Sequence, residues 1–140
     1  MIPIDDFIKY FSSNFIGLEK LAPWDITKSL TAILINKIDS LDGEYVVENG
    51  IAIHKTAIVE DQAILKAPII ISENCFVGAN AYLRNGVFLG RSTSVGPACE
   101  VKTSIIFEHT EIAHLNFIGD CIIGSNINFE AGSIAANYFN

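Results

Sequence analysis

From Ile53 to Ala113 the chain places an apolar residue at every sixth position: Ile53, Val59, Leu65, Ile71, Val77, Leu83, Leu89, Val95, Val101, Phe107 and Ala113. Four positions after most of these runs a second column of small or apolar residues: Ala57, Ala63, Ile69, Cys75, Ala81, Val87, Thr93, Cys99 and Ile105, broken only by Glu111. A period of six fits neither an α-helix nor an alternating strand. It is the signature of a parallel β-helix, where one short strand and its corner form one side of a coil. Three sides make a triangular coil of about 18 residues. Successive coils should stack about 4.8 Å apart, the spacing of paired strands.

The expected fold is therefore all-β, a single-stranded parallel β-helix over residues 51–140 with about five coils. The sixes resume at Phe117, Ile123, Phe129 and Ala135, but Ala113 to Phe117 is four residues. This predicts a slip at 113–117, where the backbone leaves the coil path over His114, Leu115 and Asn116. Irregular turns on a regular scaffold are frequent carriers of function. Cys75 and Cys99 fall in the small column and Cys121 rejoins it, so all three are expected to be inward-facing thiols. Their odd number and wide spacing describe neither a disulfide framework nor a zinc site.

Residues 1–50 read differently. Ile4, Phe7, Ile8, Phe11 and Phe15 have helical spacing, as do Ile26, Leu30, Ile33, Leu34, Ile38 and Leu41, with Asp25 as the expected N-cap. "DGEYVVENG" predicts a short strand ending in an Asn49-Gly50 turn. This helical region is expected to cap an exposed end of the β-helix. The net charge of −7 argues against a nucleic-acid partner. No apolar run approaches the roughly 20 residues needed to span a bilayer, so no membrane partner is expected. The start "MIPIDDFIKY" places acids before its first lysine, unlike a secretory signal, and a cytoplasmic location is expected.

Lys66, Arg84 and Lys102 are 18 residues apart, each directly after an inward residue. Three cations stacked at the coil spacing repel one another, and a bound anion such as phosphate would relieve them. Solvated side chains splaying apart would serve as well. By the same count Gly96 and Gly78 lie beneath His114, leaving either room for a ligand or merely an easier corner.

At "HLNFIGDCIIGSNINFEAGSIAANY" the chain resembles the acetyltransferase half of the bifunctional N-acetylglucosamine-1-phosphate uridylyltransferase family, which includes glucosamine-1-phosphate N-acetyltransferase activity. The resemblance covers roughly residues 53–140 and implies a left-handed coil, association as a homotrimer, and a small-molecule sugar phosphate as substrate. It implies acetyl-CoA as co-substrate and no metal. His114 would be the general base that deprotonates the sugar amine, and Glu100 the acid that orients it. Arg84 and Lys102 would hold the phosphate. Asn128 and Asn137 would bind the sugar, and Ala131 would lie where the backbone approaches the acetyl group. Two positions depart from the family. Phe117 replaces a tyrosine, removing a hydroxyl aimed at the phosphate, and Glu130 replaces a glycine near the acetyl position. The family also continues past the position of Asn140 with coils that carry another phosphate-binding lysine and most acetyl-CoA contacts. No glycine-rich nucleotide loop occurs in residues 1–50, so no uridylyltransferase domain is expected.

Two functional classes follow. An acyltransferase would move an acetyl group from CoA to a hexosamine 1-phosphate amine. A shortened, non-catalytic sugar-phosphate-binding or trimerisation module would keep only the phosphate half of that site. A third class, the γ-type carbonic anhydrases, shares the coil and uses three histidines on zinc. His109 and His114 are suitably spaced for it, but His54 lies more than three coils away, about 15 Å by strand stacking, and cannot join them within one subunit.

Overall fold

The computed structural model describes residues 2–136, and its body is a parallel β-solenoid of about five turns. One wall of the prism stacks Ile58–Val59, Phe76–Val77, Ser94–Val95, Glu111–Ile112 and Asn128–Phe129 in parallel. The second and third walls are joined through the long strands Tyr82–Leu89 and Glu100–Ile106, which run around an edge. The second wall continues upward through Phe117–Gly119 and Ile134–Ala136. The third begins with Ile51–His54 and Ile69–Ile71 and ends with Ile122–Ile123. Tyr45–Glu48 pairs antiparallel with Ile51–His54 across the Asn49-Gly50 turn, as the sequence predicts.

Positive φ angles mark the corners. Asn74, Asn80, Asn85 and Asn126 lie between +56° and +60°, and asparagine tolerates this left-handed region because its short amide bonds locally. The corners also set the coil length. Two residues, Ala67-Pro68 or Asn85-Gly86, separate the second wall from the third in the lower coils, and Tyr82 pairs with Glu100, 18 residues on. From Thr103 upward a single left-handed residue makes that corner. Val87 therefore pairs with Ser104, 17 residues on, and Glu100 pairs with Phe117 at the same interval.

This corrects the predicted slip at 113–117. The two missing residues are lost separately, one at Thr103 and one at Asp120, both left-handed. Around His114 the coil path is regular: Ile112 pairs with Val95 below and Phe129 above, and the Leu115 N–H donates to the Pro97 carbonyl. The phase shifts with it. Ile106, Ile112 and Ile118 are the inward residues, in place of Phe107, Ala113 and Phe117. Thr110, rather than Glu111, fills the small column, and Ser104 replaces Ile105 there.

Inside the prism, Ile69, Ile71, Val77, Leu83, Leu89, Val95, Val101 and Ile106 are fully buried. Small polar residues at the corners tie each coil to the next. The Cys75 thiol donates to the Gly90 carbonyl at 3.0 Å, Cys99 to Ala113 at 2.8 Å, Thr93 to Phe107 at 3.0 Å and Thr110 to Gly124 at 2.9 Å. The cysteines are free thiols, and burial raises all three pKa values, that of Cys75 to about 11.

The helices do not cap an end of the solenoid. α1 (Phe11–Asn14), α2 (Pro23–Lys28) and α3 (Leu30–Asp39) lie against the third wall, whose outer residues are apolar too. Ala52, Ile70, Phe88, Ile105 and Phe107 face outward into a second core with Ile8, Phe11, Phe15, Ile26, Leu30 and Leu34. Phe11, Phe15, Phe88 and Phe107 form an aromatic cluster with centroids 5.1–6.4 Å apart. The first segment departs from one continuous helix. Ile4–Asp6 is a 3₁₀ turn, Tyr10 takes a left-handed conformation, and Phe7 points to solvent. In α2, Pro23 is the first helical residue and Ala22 is the N-cap, so Asp25 is the third residue of the helix, in its first turn. Proline suits the first position because its missing N–H has no partner to lose.

Candidate functional site

The second wall carries two outward rows. Ile64, Tyr82, Glu100, Phe117 and Ile134 form one, and Lys66, Arg84, Lys102, Gly119 and Ala136 the other. Arg84 and Lys102 are direct register partners in neighbouring strands. The alignment counted from sequence therefore brings these two cations together, with Lys66 one coil below.

No external anion is needed to relieve their repulsion, because the protein supplies its own. Arg84 Nε and Nη2 both lie 2.7 Å from Glu100 Oε1, and Lys102 Nζ lies 2.9 Å from Asp120 Oδ2. These four side chains are only 23–34% exposed, so water screens them incompletely. Tyr82 lies below, its ring 5.7 Å from the Arg84 guanidinium and 6.0 Å from Lys66 Nζ, within cation–π range. Asp120 and Tyr82 were assigned no role from sequence. Asp120 could have been found by the same count, since it lies 18 residues after Lys102.

Glu100 and His114 are not joined. The Glu100 carboxylate is engaged by Arg84, and among the described residues no hydrogen bond reaches the His114 imidazole. His114 is exposed on the edge between the first and second walls, where three hydrogen bonds hold the backbone carbonyls of Ala113 and His114. The Asn116 amide donates to the carbonyls of Ala113 and His114, both at 3.1 Å, and the Gly132 N–H donates to the His114 carbonyl. The glycines expected beneath it have another purpose. A Cβ on Gly96 would lie 2.8 Å from the Ala113 backbone, and one on Gly78 would lie 2.7 Å from the Pro97 nitrogen. The next coil's backbone fills that space, leaving no room there for a ligand.

Phe117 lies beside Glu100 with its ring over Gly119, where an added Cβ would come within 2.7 Å of it. Asn128 is exposed on the first wall next to Glu111, and Ala131 is exposed at the corner above His114. Asn137 lies outside the described residues. The three histidines do not converge. His54 bonds Thr56 at 2.8 Å, and no group of three histidine, cysteine or acidic side chains suited to a metal occurs among the described residues. Around a different edge, a polar cavity of about 300 Å³ is lined by Tyr45, His54, Glu73, Arg91 and Glu108 among others. No helix among the described residues is long and apolar enough to cross a membrane.

The family model of the GMPPB C-terminal domain matches residues 65–137, which is more than half of the chain. The chain belongs to the GMPPB C-terminal domain family. The matched stretch takes in the whole charged wall and His114, and leaves out the helices on the third wall. The chain is also 38% identical over 121 residues to the "Bifunctional protein GlmU" of Methanococcus maripaludis (strain C5), covering 82% of this chain and 29% of that protein. The protein of the same name from Methanocaldococcus jannaschii is 38% identical over the same shares. That of Pelotomaculum thermopropionicum is 34% identical over 66% of this chain and 19% of its own length. The chain thus spans less than a third of the length of these relatives.

Proposed function

We propose that this hexapeptide-repeat domain of the GlmU-like acetyltransferases binds a sugar phosphate on its second wall and serves acetyl transfer from acetyl-CoA to the amine of a hexosamine 1-phosphate. The observation that carries this reading is the pairing of Arg84 with Lys102 in adjacent strands, which offers two cations at one coil spacing to the oxygens of a phosphate. The relatives named bifunctional protein GlmU support it. In the proposed reaction His114 takes a proton from the amino nitrogen. The freed amine attacks the thioester carbonyl, and CoA departs as its thiol. Asn128 and Asn137 bind the sugar, and Ala131 lies beside the acetyl group. Phe117 offers the sugar an apolar surface where the family has a hydroxyl. A homotrimer in the cytoplasm belongs to the same reading, with native mass and cell fractionation as its checks.

One observation favours a second reading, a non-catalytic sugar-phosphate-binding module. Glu100 is held by Arg84, and among the described residues no carboxylate bonds the His114 imidazole. An acetyl-transfer assay with glucosamine 1-phosphate and acetyl-CoA separates the two. Turnover that falls at least ~100-fold in His114→Ala supports the enzyme, in line with the usual contribution of a general base. Binding of glucosamine 1-phosphate without product supports the module, and no binding sinks both.

A further inference from the structure

On the charged wall Arg84 is paired with Glu100 and Lys102 with Asp120, while Lys66 one coil below lies over the Tyr82 ring. Lys102 and Asp120 are tied twice. The Asp120 carboxylate lies 2.9 Å from Lys102 Nζ, and the Asp120 backbone N–H donates to the Lys102 carbonyl at 2.9 Å. The second bond fixes the Asp120 backbone beside the strand that carries Lys102, so its carboxylate stays within reach of the ammonium. Asp120 also makes the one-residue corner, at φ 55°. A phosphate monoester arriving here carries about −1.5 to −2 charge at pH 7. It meets one lysine already neutralised and a carboxylate that repels it across a partly shielded surface.

We propose that Asp120 sets the anion affinity of the second wall by occupying Lys102, so that a phosphate binds only by displacing or sharing that ammonium. The inference rests on the sugar-phosphate reading above. It distinguishes the two ion pairs by their place in the fold. Glu100 stands in the row of Tyr82 and Phe117, inside the wall, whereas Asp120 stands at the corner and can lose its charge without touching the strand. Asparagine is the natural replacement there, because Asn85 takes the same left-handed conformation on the same edge at φ 57°.

The test is a calorimetric titration of the full chain with inorganic phosphate and with glucosamine 1-phosphate, in wild type, Asp120→Asn and Lys102→Gln. Asp120→Asn is expected to bind both about tenfold more tightly or better, with a steeper loss of affinity as salt rises, since one repelling charge has gone. Lys102→Gln is expected to lose binding. Unchanged or weaker affinity in Asp120→Asn, with binding still abolished by Lys102→Gln, overturns the role of Asp120 and leaves the sugar-phosphate reading standing. Binding indifferent to Lys102→Gln, or absent from wild type and Asp120→Asn alike, overturns both. If Asp120→Asn does not fold, Asp120→Gly replaces it, since glycine accepts the same φ.

Discussion

Gly96 sits where one coil's backbone presses directly on the next, and its missing Cβ is what permits the contact. A methyl group there would meet the backbone of Ala113 and His114 at 2.8–3.0 Å. Backbone in a paired ladder cannot give way as a side-chain tip can, so Gly96→Ala is expected to cost about 1–3 kcal/mol, as overpacking does. Urea unfolding checks it, with Gly43→Ala as the control. Gly43 has nothing within 4 Å of its added Cβ and should change stability by less than about 0.5 kcal/mol. Cys75 makes a pH-dependent counterpart. Burial raises its thiol from 9.0 to about 11, so the unfolded chain loses that proton first. Between those values the native state binds more protons than the unfolded one, and stability must fall as pH rises. Denaturation midpoints of wild type and Cys75→Ala, measured under reducing conditions, should run parallel below pH 9. Above it wild type should decline more steeply. Parallel curves up to pH 11 would show that the thiol ionises as freely inside the prism as outside.

At the scale of elements, the third wall explains both the position of the helices and the error in the phase count. Its strands are apolar on both sides: Ile69, Ile71, Val87 and Leu89 face the prism, and Ile70, Phe88 and Ile105 face the helices. A strand buried on both faces has no alternation to reveal its register. The run Ile105-Ile106-Phe107 could therefore be counted as inward at Phe107 when the inward residue is Ile106. The count held up to Val101 because two-residue corners keep the lower coils at one length. It failed at Thr103 and Asp120 because a one-residue corner carries no compositional mark, unlike the hairpin dipeptide Asn49-Gly50. The helices are secured by the same doubly apolar wall. Phe107, fully buried against Phe11 and Phe15, is their central anchor, and Phe107→Ala is expected to destabilise the chain by about 3–5 kcal/mol. The loss should fall first on α1–α3. Limited proteolysis of the variant should cut within residues 1–44 while the solenoid persists as a resistant core. Simultaneous loss of both parts would mean that the solenoid depends on the helices to fold.

For the molecule as a whole, stacking converts distance along the chain into nearness, and this is why part of the site could be read by counting. Arg84 and Lys102 emerged as neighbours from their separation alone. Of the carboxylates that neutralise them, Asp120 keeps the same 18-residue interval from Lys102, whereas Glu100 lies 16 residues after Arg84 and is reached diagonally, an offset that a column of equal spacing does not reveal. The same stacking governs how the protein should open. Each coil rests only on the coils beside it, so stability is shared between neighbours rather than held by one global core. Val77, Leu83, Leu89, Val95 and Val101 are wholly buried, while Val59, Leu65, Ile123, Phe129 and Ala135 are only partly so. Amide hydrogen exchange should therefore be slowest in Ile69–Ile71, Tyr82–Leu89 and Glu100–Ile106, each paired on both sides, and the helices should slow the outer part of that wall further. Asn128–Phe129 and Ile134–Ala136 should exchange fastest among the upper strands, by sub-global opening rather than complete unfolding. The His114 carbonyl accepts from Gly132 in that upper coil, so the edge carrying the candidate base should loosen with it, while the Arg84–Lys102 wall one coil down stays closed. Uniform exchange from Ile69 to Ala136 would show instead that the coils open together, and that the base and the phosphate-binding cations share one cooperative unit.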